Sequence, residues 1–204
     1  MQLVLVRHAE PVAAEATPDG RPADPELSSR GRVQASALGW WAANNTGEKV
    51  TEIVVSGMRR AQETAEPAAN ALGLTPVVDE DLAEFDAGRS SYTPVHQRLG
   101  SDDPDWQRIQ EGFLPEFVDV GAFTARVRGA FDRIVARHAD AGRETVLVVC
   151  HAGTINLFLA LELGLGRPLT FPLDHASLSR VLVSRSGRRK VRSVNETGHV
   201  ADLL

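Results

Sequence analysis

The stretch QLVLVRH, residues 2–8, decides the fold, because a run of apolar residues stops abruptly at two ionisable side chains, Arg7 and His8. Four large apolar residues in a row, without polar alternation, are typical of a strand that is covered on both faces. A similar run, residues 145–150, stops at His151, which precedes an alanine and a glycine. We therefore predict two buried strands that each present a histidine at the carboxyl end.

Segments with strand or helix patterns surround these two runs. The predicted strands, rich in Val, Ile or Leu, are residues 2–7, 52–56, 75–78 and 145–150. The predicted helices, with apolar residues at helical spacing, are residues 29–44, 59–72, 121–141 and 154–163. Strands that alternate with helices form βαβ units. The sequence therefore predicts an α/β fold, a three-layer α/β/α sandwich around a mostly parallel central sheet.

Three segments do not fit this alternation. Residues 13–26 contain three prolines and a glycine, which predicts a loop. Residues 86–120 also contain three prolines, and we predict an irregular, partly helical insertion that shapes the substrate pocket. Residues 177–195 alternate around Ser186 and Gly187, which predicts a C-terminal β-hairpin. The length of 204 residues suits one domain, and we predict a single domain over residues 1–204.

Composition and charge narrow the class of protein. The formal net charge is -5 at pH 7, and an acidic chain is a poor candidate for binding nucleic acid or an anionic membrane. No apolar run approaches the ~20 residues of a bilayer span. The apolar start, residues 1–6, is too brief for a signal-peptide core. The single cysteine, Cys150, cannot form an internal disulfide. These features predict a cytoplasmic protein that binds neither nucleic acid nor membrane.

Ionisable side chains follow several of the predicted strands. Arg7 and His8 end the first, Arg59 and Arg60 lie shortly after the second, and His151 follows the fourth. Because ligands of open α/β sheets bind at the carboxyl ends of the strands, we expect these groups to converge. Guanidinium groups bind phosphate oxygens in pairs, and a neutral imidazole is a competent nucleophile toward phosphorus. The pattern predicts a site for phosphoryl transfer without a metal ion.

A carboxylate is expected at the same edge of the sheet, because acidic residues follow the third strand. A carboxyl group beside a phosphate dianion has a raised pKa, which suits it to protonate a leaving oxygen. Glu84 and Asp86 both fit this role, whereas residues 79–81 fit a solvated turn. Arg59 and Arg60 are likewise alternative candidates for binding the phosphate. Adjacent helix residues point about 100° apart, so only one of the two is expected to face the site.

Six sequence blocks resemble the histidine phosphatase superfamily, also called the phosphoglycerate-mutase-like family. They are LVLVRHAEP (3–11), LSSRGRVQA (27–35), SGMRRAQETA (56–65), LAEFDAG (82–88), VVCHAG (148–153) and, more weakly, VNETGHV (194–200). The blocks occur in family order from end to end of the chain, and five of them in register form a specific match. The resemblance implies the same layered α/β fold.

The resemblance also implies a role for each matching residue. It implies His8 as the nucleophile that becomes phosphorylated, with Arg7, Arg59 and His151 binding the phosphoryl group and His151 steadying the transition state. Glu84 is implied as the general acid that protonates the leaving alcohol and then as the base that activates water. The family works without metal or organic cofactor, so we expect neither here.

Departures from the family pattern bear on the substrate. Ala9 follows His8 where many members carry glycine, and the Ser, Trp and Asn typical of the mutase branch are missing between Glu10 and Thr17. We therefore expect a metal-independent phosphomonoesterase that hydrolyses a phosphorylated small molecule through a phosphohistidine. The alternatives are a phosphoglycerate mutase and a catalytically silent phosphate-binding regulatory module. The physiological substrate and the oligomeric state stay open.

Other suggestive residues have plainer interpretations. Arg137 and His138 repeat the Arg-His pair inside a helix, with no strand before it, so His138 is expected to cap or pack against that helix. Cys150 and His151 are neighbours on a strand and point to opposite faces, which predicts a buried structural thiol. The basic cluster at residues 185–192 fits a solvated hairpin face. No metal-ligand spacing links the remaining histidines, which are His96, His175 and His199.

Overall fold

The computed structural model describes residues 1–45, 47–94, 102–138, 142 and 144–204, and a six-stranded sheet lies at their centre. Its strands are β1 (Gln2–Arg7), β3 (Lys49–Val55), β4 (Val77–Val78), β6 (Glu144–Cys150), β7 (Leu178–Val183) and β8 (Arg189–Glu196). The spatial order is β4-β3-β6-β1-β7-β8. The first four of these run parallel, and the β7–β8 hairpin joins antiparallel to β1. The prediction of a mostly parallel sheet with a C-terminal hairpin is confirmed.

Helices flank the sheet on both faces. They are α1 (Ser29–Asn44), α2 (Arg59–Leu72), α3 (Pro104–Gln110), α4 (Val120–Arg137) and α5 (Ala152–Leu163), with short 3-10 turns at Glu80–Leu82 and Ala201–Leu203. Local sequence sets their ends. The Ser28 hydroxyl accepts a hydrogen bond from the Gly31 amide at the start of α1, and Asp119 caps α4 in the same way. Gly73 and Gly164 end α2 and α5 in the left-handed conformation.

Alternate residues of β1 enter two separate cores, as the pleat requires. Leu3 and Leu5 belong to the core beneath α4 and α5, where the rings of Phe131 and Phe158 stack 3.8 Å apart. Val4 and Val6 belong to the core beneath α1 and α2. Every residue of β1 is buried, so a strand with no polar alternation is the pattern that this position requires. The three-layer prediction is confirmed.

Helices α1 and α2 approach each other closely where Gly39 faces Pro67. A Cβ atom at Gly39 would lie 2.9 Å from the Cβ of Pro67, which leaves no room for a side chain. Helix α2 continues through Pro67 to Leu72, although a proline removes one backbone donor. The close contact fixes the rotation of α2 about its axis, and this rotation decides which of its side chains face the sheet edge.

Most predicted boundaries agree with the structure, and the differences lie at irregular ends. Strand β3 begins three residues early at Lys49, and α4 ends at Arg137, not at residue 141. The predicted loop 13–26 contains β2 (Ala14–Glu15), which pairs with β5 (Ser91–Tyr92) from the insertion. This two-stranded pair is too short and too polar to show a periodic pattern.

The insertion, residues 86–120, carries β5 and helix α3 among turns. Helix α3 begins at Pro104 in the first helical position, after Asp103, whose carboxylate accepts a hydrogen bond from the Asp105 amide. The sequence prediction of an irregular, partly helical segment agrees with these described parts. Among the helices of the described residues, none combines the length and apolar character that a bilayer span requires.

Candidate active site

The carboxyl ends of β1 and β6 bring two histidines together. The two strands are parallel neighbours with Arg7 opposite Cys150, so His8 and His151 leave the sheet at the same level. The His8 amide donates to the Cys150 carbonyl over 2.8 Å, and the centroids of the two imidazole rings lie 5.1 Å apart. Strand register alone therefore produces the predicted convergence of His8 and His151.

His8 is held with one ring nitrogen free. The ring is 3% exposed, and its Nδ1 lies 2.8 Å from the Ala9 carbonyl oxygen, which can only accept. Nδ1 therefore carries the proton, and Nε2 keeps its lone pair. Burial, then the nearby cation Arg60 and the ring of His151, hold the pKa of His8 well below its usual value. His8 is thus a neutral imidazole with Nε2 available as a nucleophile.

His151 is oriented by Ser56, the residue that follows β3. Its Nε2 lies 2.8 Å from the Ser56 hydroxyl, which accepts a hydrogen bond from the Met58 amide at 3.3 Å. The hydroxyl can then direct its own proton to Nε2, and in that tautomer Nδ1 of His151 carries the ring proton. This Nδ1 is buried and has no partner in the described part of the chain. Burial, assisted by Arg60, lowers the pKa of His151, so the neutral ring presents one N–H donor.

Two buried arginines, Arg7 and Arg60, line the cavity beside His8. Arg7 donates to the Leu173 carbonyl and, over 2.8 Å, to Nε2 of His175, while Arg60 forms an ion pair with Asp86 at 3.0 Å. Nε of Arg7 and both Nε and Nη1 of Arg60 have no hydrogen-bond partner within the described residues. Unpaired donors on buried cations are costly. They indicate a binding site for an anion.

Arg59, the predicted phosphate ligand, lies outside this cavity, and the prediction of which arginine faces the site is wrong. Its side chain is 50% exposed and forms ion pairs with Glu26 and, at 2.7 Å, with Glu63, whereas Arg60 is 1% exposed. The rotation of α2 explains why Arg60 and not Arg59 faces the cavity, because Arg60 lies on the buried helix face four residues before the buried Thr64. The apolar spacing of α2 was the signal that could have identified Arg60.

Glu84 lies in the same cavity with both carboxylate oxygens bound to backbone amides. Oε2 accepts from Gly153 at 2.7 Å and Oε1 accepts from Phe85 at 3.0 Å. Burial, followed by repulsion from Asp86, raises the pKa of Glu84 to about 7. A Cβ atom at Gly153 would lie 2.4 Å from Oε1, so only glycine fits there. Of the two candidate acids, Asp86 is engaged with Arg60, and Glu84 has the proton affinity of a general acid.

The residues Arg7, His8, Arg60, Glu84 and His151 are called the inner site below. The first four line a cavity of about 920 Å³, and His151 lies fully buried behind them. The remaining lining comes from Phe85, Asp86, Ala152, Gly153 and Asn156 and from three further stretches within residues 89–93, 103–117 and 169–174, which are called the outer walls. It includes the aromatic side chains of Tyr92, Trp106, Phe117 and Phe171. The cavity is far larger than a phosphate ion and has room for a small organic molecule.

Sequence reasoning left His175 open between the pocket rim and the surface, and it did not find Ser56 or Thr64. The ring of His175 lies 5.7 Å from that of His8 and accepts from Arg7, although His175 follows a loop and no strand. Ser56 and Thr64 act through hydrogen bonds, Thr64 by accepting from the Ala9 amide at 2.9 Å. Hydroxyl side chains are common throughout a chain, and only coordinates reveal which of them are buried at a site.

The interpretations of Cys150 and His138 agree with the structure, whereas Arg189 of the basic cluster is not solvated, since its side chain is 13% exposed and pairs with Asp132 and Glu162. Cys150 is buried in the core beneath α4 and α5, and burial raises the pKa of its thiol. His138 bonds Glu52 at 2.8 Å and lies close to Glu144, far from the cavity. His96 lies outside the described residues. Among the residues that are described, no group of three or more histidine, cysteine or carboxylate side chains is placed to hold a metal ion.

Comparison with known proteins gives the family. The model of the histidine phosphatase superfamily (branch 1) matches residues 3–197. A bifunctional protein of Mycobacterium tuberculosis is 34% identical over 211 residues, covering 98% of this chain, which spans 55% of that protein's length. Phosphoserine phosphatase 1 of Hydrogenobacter thermophilus is 30% identical over 212 residues, covering 100% of this chain and 96% of the relative.

A solved structure shows the same fold. The complex of a mycobacterial glucosyl-3-phosphoglycerate phosphatase with inorganic phosphate superposes with a TM-score of 0.74 at 24% identity, covering 98% of this chain and 99% of that one. That solved structure holds inorganic phosphate. With a family match over nearly the whole chain, an agreeing fold and two buried histidines at one sheet edge, the chain belongs to the histidine phosphatase superfamily.

Proposed function

We propose that this chain is a phosphomonoesterase that hydrolyses a phosphorylated small molecule through a phosphohistidine on His8. The observation that carries the proposal is the unprotonated Nε2 of His8 in a cavity that it shares with unpaired donors of Arg7 and Arg60. A nucleophilic nitrogen beside buried, unsatisfied cations suits attack on a phosphate ester. The family includes phosphatases and phosphoglycerate mutases, and the relative named as a phosphoserine phosphatase supports hydrolysis.

In the first step Nε2 of His8 attacks the phosphorus in line, and the bond from phosphorus to the ester oxygen breaks. The leaving oxygen takes the proton of Glu84, so an alcohol departs and Glu84 becomes a carboxylate. His8 becomes a phosphohistidine that keeps its proton on Nδ1, where the Ala9 carbonyl accepts it. Glu84 is available in acid form because its pKa is about 7.

In the second step water attacks the phosphohistidine. The Glu84 carboxylate takes a proton from this water, the bond between phosphorus and Nε2 breaks, and inorganic phosphate is released with both side chains restored. Arg7, Arg60 and the Nδ1–H of His151 supply donors for the three oxygens of the transferring group. A preorganised donor of this kind contributes about 3 kcal/mol to the transition state.

His8→Ala tests the proposal. We expect turnover of p-nitrophenyl phosphate to fall by about 1000-fold or more, because the variant has no nucleophile. Rapid quenching of the wild-type protein with radiolabelled substrate is expected to trap an acid-labile, base-stable phosphoenzyme that His8→Ala lacks. Activity is expected to persist in EDTA. A His8→Ala protein with more than a few per cent of wild-type turnover contradicts the mechanism.

The same labelled assay separates hydrolysis from the two alternatives. With 3-phosphoglycerate, a phosphatase releases inorganic phosphate, whereas a mutase forms the 2-isomer. A silent regulatory module would bind phosphate without turnover of any ester. The presence of both His8 and Glu84 in the cavity supports an enzyme that turns over a phosphate ester.

A further inference from the structure

We propose that Arg126 is a positioning residue that fixes the backbone beneath Glu84 and so places the general acid. This inference rests on the proposed function, because it assigns to Arg126 a part in proton transfer to the leaving group. Arg126 belongs to helix α4 and does not line the cavity. Its effect on the reaction therefore passes through Glu84.

The guanidinium of Arg126 donates to the segment that carries Glu84. Nη1 lies 2.8 Å from the carbonyl oxygens of both Asp81 and Ala83, and Nη2 makes a longer contact of 3.5 Å to the carbonyl of Glu84. Three carbonyls within four residues thus meet one side chain. Among the described residues, no main-chain amide of a helix or strand donates to the carbonyls of Asp81 and Ala83. The Arg126 side chain therefore takes the place of regular secondary structure as the support of this segment.

The carbonyls of Asp81 and Ala83 need an external donor because of where they lie, whereas that of Glu84 also accepts from the Ala87 amide at 3.2 Å. The 3-10 turn Glu80–Leu82 ends immediately before Ala83, and carbonyls at the end of a helical turn lack partners within it. A fixed positive charge at such a carboxyl end is stabilising. The carbonyl of Ala83 also accepts from the Thr154 hydroxyl at 3.1 Å, so both of its lone pairs are engaged.

Aromatic packing holds the guanidinium in place. It lies over the ring of Phe123, 4.9 Å from the centroid, and Phe123 meets the ring of Phe85 edge to face at 6.2 Å. The Phe85 amide is one of the two donors to the Glu84 carboxylate. Arg126 is therefore linked to the acid twice, through the backbone carbonyls and through the ring of the following residue.

Glu84 is consequently held from two sides. Helix α4 holds its backbone through Arg126, and the amide of Gly153 at the start of α5 holds its carboxylate. Proton transfer requires the acid within hydrogen-bond reach of the leaving oxygen, and a displacement of about 1 Å costs up to about 100-fold in rate. Loss of Arg126 is expected to release the backbone while the amide contacts remain.

The test compares kcat/KM for an alkyl phosphate, whose leaving oxygen needs a proton, with that for p-nitrophenyl phosphate, whose leaving group does not. We expect Arg126→Met to lower the alkyl value about 30-fold and the nitrophenyl value less than about threefold. Arg126→Lys, which keeps the charge but has one nitrogen, should lie between. Arg133→Met is the matched control, since Arg133 lies two turns along α4 and pairs with the side chains of Asp79 and Asp81, not with the carbonyls beneath Glu84.

An equal loss on both substrates, or no loss, would overturn the inference. If Arg126→Met is not folded by circular dichroism, the selectivity of Arg126→Lys decides the matter. Glu84→Gln in the same assay separates this inference from the proposed function. A selective loss in Glu84→Gln without one at Arg126 removes only the positioning role, whereas an active His8→Ala removes the proposed function.

Discussion

The inner site and the outer walls of the cavity are built in different ways. Arg7, His8, Arg60 and His151 lie at the ends of strands or open a helix, where ladder hydrogen bonds and layer packing fix the backbone, whereas Glu84 follows a 3-10 turn and is held by Arg126 and Gly153. The outer walls come from turns, the seven-residue helix α3 and the segment 169–174. The difference indicates that the scaffold fixes the chemistry and that less regular chain selects the substrate.

The two regions also differ in polar character. The inner site holds buried cations and two imidazole rings, several of whose nitrogens have no hydrogen-bond partner among the described residues. The outer walls are rich in aromatic surface, and the indole N–H of Trp106, a residue 6% exposed, has no partner among the described residues. Three substitutions probe the contrast, beginning with the largest expected effect.

Arg60→Ala is expected to lower kcat/KM for every phosphate ester by about 100- to 1000-fold, because it removes a preorganised donor to the phosphoryl group. Arg59→Ala is the matched control one residue earlier. Its side chain is half exposed and its ion pairs lie outside the cavity, so we expect less than a threefold change. Circular dichroism checks that Arg60→Ala, which leaves Asp86 without its partner, remains folded. If Arg59→Ala lowers kcat/KM more than Arg60→Ala does, Arg59 is the residue that binds the phosphoryl group.

Glu84 is expected to impose a pH limit on the reaction. Because the pKa of Glu84 is raised to about 7, its acid form declines as the pH rises through that value. The pKa of His8 lies well below its usual value, so His8 stays neutral on both sides of pH 7. For alkyl phosphates kcat/KM should fall about tenfold for each pH unit above 7.

The Glu84→Gln variant has no carboxyl proton to lose. Its kcat/KM for alkyl phosphates should therefore be low at every pH and should not decline above pH 7. For p-nitrophenyl phosphate, whose leaving group needs no proton, both the limb and the loss on substitution should be small. An alkaline limb that persists in Glu84→Gln would assign the titration to the substrate or to another group.

Trp106→Phe addresses the outer walls and has the smallest expected effect. It removes the unpaired indole N–H while keeping an aromatic ring, and one hydrogen bond contributes about 0.5–1.5 kcal/mol. Across a panel of phosphorylated metabolites we expect individual kcat/KM values to change by about twofold to tenfold, with kcat for p-nitrophenyl phosphate unchanged. A uniform change on all substrates would show that Trp106 supports the inner site instead.

The inner site was largely predictable because its signals are local. An apolar run that stops at Arg7 and His8, and another that stops at His151, place these residues without knowledge of distant contacts. Strands β1 and β6 then pair in parallel, and the convergence follows from their register. The predicted α1 and α2 also begin and end where the structure has them.

What the sequence did not reveal depends on contacts between distant segments. The choice between Arg59 and Arg60 depends on the rotation of α2, which is fixed by the contact of Gly39 with Pro67. His175 reaches His8 from a loop, and Arg126 reaches the acid segment from α4. The contacts of His175 and Arg126 leave no periodic trace, because each joins residues more than 25 positions apart.

The position of Cys150 has a consequence for redox sensitivity. Its sulfur faces the closed core, and burial raises the pKa of the thiol, so no thiolate forms under physiological conditions. Peroxides and alkylating reagents attack thiolates, and enzymes whose nucleophile is a cysteine stop working in their presence. With the one cysteine of the chain buried, we expect an imidazole nucleophile to keep its turnover in the presence of peroxide.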